Sequence, residues 1–117
     1  MDRQTAFDYI KKKYKVLPEY PWKRYGGNAV FRHTDNKKWF ALAAGVQGDK
    51  VGLTGTDYVD VINLKIDPAT GDELRSIPGI FPAYHMNRKH WITVVLDDTL
   101  SDEEVARLIE TSFELTS

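Results

Sequence analysis

Residues 82–91, Pro82-Ala83-Tyr84-His85-Met86-Asn87-Arg88-Lys89-His90-Trp91, bring together two histidines, two aromatic rings, an amide and two cations. Imidazoles ligate metals or move protons, amides read hydrogen-bonding edges, and Arg and Lys attract phosphates. The alternating run Ile92-Thr93-Val94-Val95-Leu96 follows directly, so this chemistry sits where a loop enters a strand. A metal site would require His85 and His90, five residues apart, to converge with the remote His33, and no HExxH-like pattern is present. No metal and no cofactor is therefore expected. Ser76, Ser101, Ser112 and Ser117 all lie outside a GxSxG elbow, and Gly45-Val46-Gln47-Gly48 lacks the Lys-Ser/Thr of a phosphate loop. No catalytic residue is assigned, and a non-catalytic protein is expected.

Cations interleave with aromatic residues at Trp22-Lys23-Arg24-Tyr25, Arg32-His33, Lys37-Lys38-Trp39 and Arg88-Lys89-His90-Trp91. That pattern suits nucleic acid, with Lys23, Arg24, Arg32, Lys37, Lys38, Arg88 and Lys89 on phosphates and Asn87 with Arg88 at base edges. Exposed rings would stack on unpaired bases. The competing structural reading makes Trp22, Trp39 and Trp91 core residues. A second functional reading is a small-molecule-binding or resistance-associated accessory protein, with Tyr84, His85, Asn87, His90 and Trp91 lining a pocket.

The elements that must position these residues follow from periodicity. Ala6, Phe7, Ile10 and Tyr14 fall on one side of a helix over residues 3–15, and Lys11-Lys12-Lys13 opposes the negative end of its dipole. Pro18 and Pro21 interrupt helix, and Tyr25-Gly26-Gly27-Asn28 supplies turn chemistry before a strand near residues 29–33. A hairpin loop at Thr34-Asp35-Asn36-Lys37 leads to a strand over 38–46. Simple alternation places Phe40, Leu42, Ala44 and Val46 on one of its faces, and Trp39, Ala41 and Ala43 on the other. The small alanines anticipate close approach by a helix. Strands are expected at 58–66 and 91–96, with a short helix opened by Asp67-Pro68 and ended by Pro78-Gly79 between them. Ser101-Asp102-Glu103-Glu104 is a capping box ahead of the stripe Val105, Leu108, Ile109. This order predicts an α+β domain: one antiparallel sheet with helices on one side. The opposite face would carry Trp39, Asn63, Lys65, Trp91 and Thr93.

The chain has 117 residues, enough for one domain over 1–117 that buries roughly two-thirds of its unfolded surface. It contains no cysteine, which excludes disulfides, thiolate metal sites and cysteine nucleophiles. No run approaches the ~18 apolar residues of a membrane span, and Met1-Asp2-Arg3-Gln4-Thr5 has no signal-like apolar region; a cytoplasmic monomer is expected. Net charge is −1, but residues 1–50 hold 11 Lys/Arg against 5 Asp/Glu, and residues 51–117 hold 5 against 12. A basic and an acidic face are therefore anticipated.

Phe81-Pro82-Ala83-Tyr84-His85-Met86-Asn87-Arg88-Lys89-His90-Trp91 closely resembles the MmcQ/YjbR family. So do Tyr20-Pro21-Trp22, Ala29-Val30-Phe31-Arg32-His33, Asn36-Lys37-Lys38-Trp39-Phe40-Ala41-Leu42, Val61-Ile62-Asn63-Leu64-Lys65 with Asp67-Pro68, and Ser112-Phe113-Glu114-Leu115-Thr116. The resemblance runs essentially end to end. It implies a "double wing" architecture similar to the C-terminal domain of the bacteriophage transcription factor MotA, in which a concave sheet between wings faces DNA. DNA is accordingly the partner it implies.

Overall fold

A computed structural model describes residues 1–24 and 27–117. Tyr25 and Gly26, half of the expected turn, lie outside the described residues. The chain order is α1 (Arg3–Tyr14), β1 (Ala29–Arg32), β2 (Trp39–Gln47), β3 (Tyr58–Lys65), α2 (Gly71–Arg75), β4 (Ile80–Pro82), β5 (Trp91–Val95) and α3 (Asp102–Thr116). The strands form one sheet in the order β1-β2-β3-β5-β4, and each neighbouring pair is antiparallel. The predicted α+β architecture is thus observed. β4 is an addition to it: three residues at the sheet edge, the position where Pro82 is tolerated.

The helix boundaries have local causes. The Asp2 carboxylate accepts from the Thr5 N–H at 2.8 Å to open α1, and Lys15 closes it with a left-handed backbone, φ 59°. Ser101 and Glu104 form the predicted capping box of α3. Both helices cover one sheet face. Ala6 and Ile10 of α1 and Val105 and Ile109 of α3 bury against Phe31, Phe40, Ala41, Ile62, Leu64, Ile92 and Val94. α3 lies across β2 and β3, where Ala41 and Ala43 permit the approach that the sequence anticipated.

Simple alternation fails in β2. Phe31 pairs with Ala41 and Arg32 with Trp39, so Phe40 is the extra residue of a β-bulge. A bulge places successive side chains on one face. Phe40 and Ala41 therefore both enter the helix-side core. Leu42, Ala44 and Val46, predicted to share the Phe40 face, lie opposite with Trp39. The bulge coincides with a local opening between β2 and β3 that Ser112 of α3 fills. Its hydroxyl accepts from the Lys65 N–H at 2.8 Å and donates to the Phe40 carbonyl at 2.5 Å.

The face without helices is open only in part. Val51 and Leu53 of the β2–β3 connection, with Phe81 and Tyr84, cover Ala44, Val46, Val61 and Val95. The uncovered part lies toward the start of β2 and β5 and the ends of β1 and β3.

Candidate nucleic-acid interface

Antiparallel pairing brings the sequence-distant cations to the same end of this face. Arg32 ends β1, Trp39 begins β2, Lys65 ends β3 and Trp91 begins β5. Register aligns them in two pairs, Arg32 with Trp39 and Lys65 with Trp91, and the β2–β3 ladder between them ends just short, at Ala41 with Leu64. Their order is cation, indole, cation, indole, and each of the four side chains is half-buried. The Lys65 ammonium lies 5.8 Å from the Trp91 ring centroid. Trp22 meets Trp39 edge-on with centroids 5.9 Å apart, which brings the segment carrying Lys23 and Arg24 to the same place. All three tryptophans are half-buried here rather than enclosed in the core.

Two loops flank the row. In the β1–β2 hairpin, the Asn36 amide oxygen accepts from the Lys38 N–H at 2.8 Å, and Lys37 takes a left-handed backbone, φ 64°. The Lys37 and Lys38 side chains are exposed at this turn. The underside of the hairpin is anchored on α3. His33, buried, has Nε2 2.8 Å from the Thr116 hydroxyl, and the Asn36 amide N–H donates to the Thr116 carbonyl at 2.9 Å. His33 is therefore separated from His85 and His90 by a structural assignment, and among the described residues no three His, Asp or Glu side chains gather as a metal-binding group.

The second loop, residues 83–90, is pinned to the sheet by a buried polar relay. Thr93 donates to the Asn63 amide oxygen at 2.6 Å, the Asn63 amide N–H donates to the Tyr84 carbonyl at 3.1 Å, and the Thr93 hydroxyl accepts from the Tyr84 N–H at 2.9 Å. Asn63 is 2% exposed and Thr93 fully buried, so each bond satisfies a group that would otherwise be desolvated without a partner. Asn63 and Thr93, expected on the open face, do point there, but they lie beneath the loop. Further along, the Asn87 amide oxygen accepts from the N–H groups of Lys89 at 2.9 Å and His90 at 3.2 Å. Asn87, the residue expected at a base edge, uses this oxygen to shape the turn. Arg88 and Lys89 are exposed at the tip, and Arg75 donates to the Arg88 carbonyl.

Arg32 differs from the other cations. Its Nε and Nη2 N–H groups donate to both carboxylate oxygens of Glu19, the former at 2.9 Å. The hydrogen bonds from Arg32 hold the Glu19 carboxyl below its usual range, and Glu19 raises the already high pKa of Arg32. The pair is nearly neutral as a unit. Tyr84, His85, Asn87, His90 and Trp91, the residues expected to line a pocket, share the 83–90 loop and the start of β5. Tyr84 belongs to the apolar cover of the sheet, with the His85 ring 4.0 Å from its own. Two surface cavities of about 550 and 510 Å³ lie around the C-terminus of α1, and the 84–91 loop lines neither.

These features define a small α+β domain with a five-stranded antiparallel sheet, helices on one face and a basic, tryptophan-bearing platform on the other. The chain belongs to the YjbR family, whose model matches residues 11–115. It is 44% identical to YyaQ of Bacillus subtilis, the alignment covering 99% of this chain and 98% of that one. The crystal structure of a Pseudomonas syringae protein, 50% identical, superposes with a TM-score of 0.98 over the whole of both chains. A Deinococcus radiodurans crystal structure assigned to the domain family DUF419 is 27% identical, with a TM-score of 0.73 over 97% of this chain and 77% of that one. The family accounts for the fold, and none of these names states an activity.

Proposed function

We propose that the protein is a non-catalytic DNA-binding protein that contacts phosphates through the basic end of its open sheet face. The observation that carries this reading is the convergence of Lys23, Arg24, Arg32, Lys37, Lys38, Lys65, Arg88 and Lys89, scattered in sequence, around one end of one sheet. The two loops at that end, residues 33–38 and 83–90, would take the place of the wings in a double-wing arrangement. The opposite end carries Asp49, Asp57, Asp60, Asp97 and Asp98 together with Lys50 on its strand ends and connections, while Glu19, Asp35 and Asp67 at the basic end are outnumbered by its cations. A polyanion approaching this dipolar molecule is drawn to one end and repelled from the other.

The test is affinity for a duplex as a function of salt. Each neutralised phosphate releases counterions with a slope near 0.9 per contact, so affinity should fall steeply as salt rises. Neutralising Lys37 with Lys38, or Arg88 with Lys89, should flatten the slope by about 1 to 2 units. The thermal midpoint should stay nearly constant, because exposed charges contribute little to stability. Absence of binding to any nucleic acid at ~50 mM salt, where screening is still weak, would overturn the reading. So would a slope indifferent to both double substitutions.

A further inference from the structure

We infer that the tryptophan row selects single-stranded nucleic acid, with unpaired bases stacking on Trp39 and Trp91 while Lys65 and the flanking loop cations hold the phosphates. The inference rests on the DNA-binding reading and adds strandedness to it. A surface that contacts only duplex backbone needs cations, but it has no use for ring faces, because paired bases are already stacked on one another. Here cations and indoles alternate along a single row, Arg32, Trp39, Lys65, Trp91, and none of the four is withdrawn into the core. Trp39 on β2 and Trp91 on β5 flank β3, so two strand spacings put them about 10 Å apart, leaving room for successive bases of one strand. Trp22 meets Trp39 with perpendicular ring planes and centroids 5.9 Å apart, which adds a third indole to the platform. The Lys65 ammonium over the Trp91 ring is at the end of a flexible stem and can move to a phosphate as a base takes its place.

Base–aromatic stacking tolerates any sequence, because every base has a π face. The expected ligand is therefore a single strand without strong sequence preference. Nothing in the row distinguishes a ribose from a deoxyribose, so DNA and RNA strands are separate arms of the test.

The chain has three tryptophans, and all of them lie at this platform. Intrinsic indole fluorescence therefore reports this site alone. The experiment titrates the intact protein with oligo(dT) and oligo(rU) of about twelve nucleotides, a length within known single-strand site sizes, and with a duplex of equal length at the same salt. Strong quenching by a single strand, at lower concentration than by the duplex, is the expected result. Trp39→Ala and Trp91→Ala should each weaken single-strand binding roughly 5- to 150-fold while leaving the salt slope unchanged. Trp91→Phe, which keeps an aromatic face, should recover part of that loss and separates stacking from any loss of fold; circular dichroism checks the fold directly. Single-strand binding without quenching, or preference for the duplex, would overturn this inference and leave the DNA-binding reading standing. No binding to any of the three probes would overturn both.

Discussion

Ser112 has a role its sequence context does not announce. It lies on the buried side of α3, fully enclosed, and its hydroxyl joins the Lys65 N–H to the Phe40 carbonyl where direct pairing of β2 and β3 is interrupted. Ser112→Ala should therefore destabilise the fold by roughly 1–3 kcal/mol for each backbone group left unpaired, a loss measurable by urea denaturation. Replacement without a shift in midpoint would show that β2 and β3 close the opening by themselves. In the sequence, Ser112 could be considered only as a nucleophile, and it fails that test because it lacks an elbow. Its partners lie 47 and 72 residues away, and His33 meets Thr116 across 83. Pairings at such separations leave no local pattern. The same reason hid the relay from Thr93 through Asn63 to Tyr84, although the residue types and the strand face of Asn63 and Thr93 were legible.

Local rules located the helix ends well at α1 and α3, but the helix expected between Asp67-Pro68 and Pro78-Gly79 opens as a 3-10 turn over Pro68–Thr70, and its α-helical part is only Gly71–Arg75. The capping box at Ser101 is the clearest success: the Ser101 hydroxyl accepts from the Glu104 N–H at 3.2 Å, and the Ser101 N–H donates to the Glu104 carboxylate at 3.3 Å. Ser101→Ala should cost on the order of 1 kcal/mol in thermal or chemical denaturation while leaving nucleic-acid binding unchanged, because the cap is at the acidic end of the molecule. Loss of binding at unchanged stability would contradict that placement. The four longer strands were recovered within a residue or two because their alternation is strong. β4 was missed because three residues are too few to show a period, and Pro82 within them argues against a strand until the edge position is known. The β2 bulge was missed for a different reason. Trp39-Phe40-Ala41-Leu42 satisfies simple alternation equally well, and only the pairing with β1 reveals the extra residue. That bulge places Phe40 in the core and leaves Trp39 on the platform.

At the scale of the whole molecule, cations predominate at one end of the sheet and acids at the other, with Asp35 and Asp67 among the former and Lys50 among the latter. The imbalance between the halves of the sequence foreshadowed this without locating it, because Lys65, Arg88 and Lys89 come from the acidic half and Asp49 from the basic one. Glu19 is the acid that most directly reduces the basic end, because it binds Arg32 through both carboxylate oxygens. Its backbone N–H and carbonyl pair with Val30, so changing the side chain leaves that bridge intact. Glu19→Gln should therefore release Arg32 to a phosphate, tightening DNA binding and steepening the salt slope by about one contact. Both side chains reach solvent, so the thermal midpoint should hardly move. Acidification should imitate the substitution. The folded carboxyl titrates below its ordinary value, so the pairing is complete above that value and is lost as pH falls through the lowered one. Over that acidic range the salt slope of the unsubstituted protein should rise toward that of Glu19→Gln, whose own slope should vary less. If the two proteins instead show equal slopes at neutral pH, Arg32 contacts no phosphate and the interface is confined to the hairpin, the 83–90 loop and the Trp22 segment.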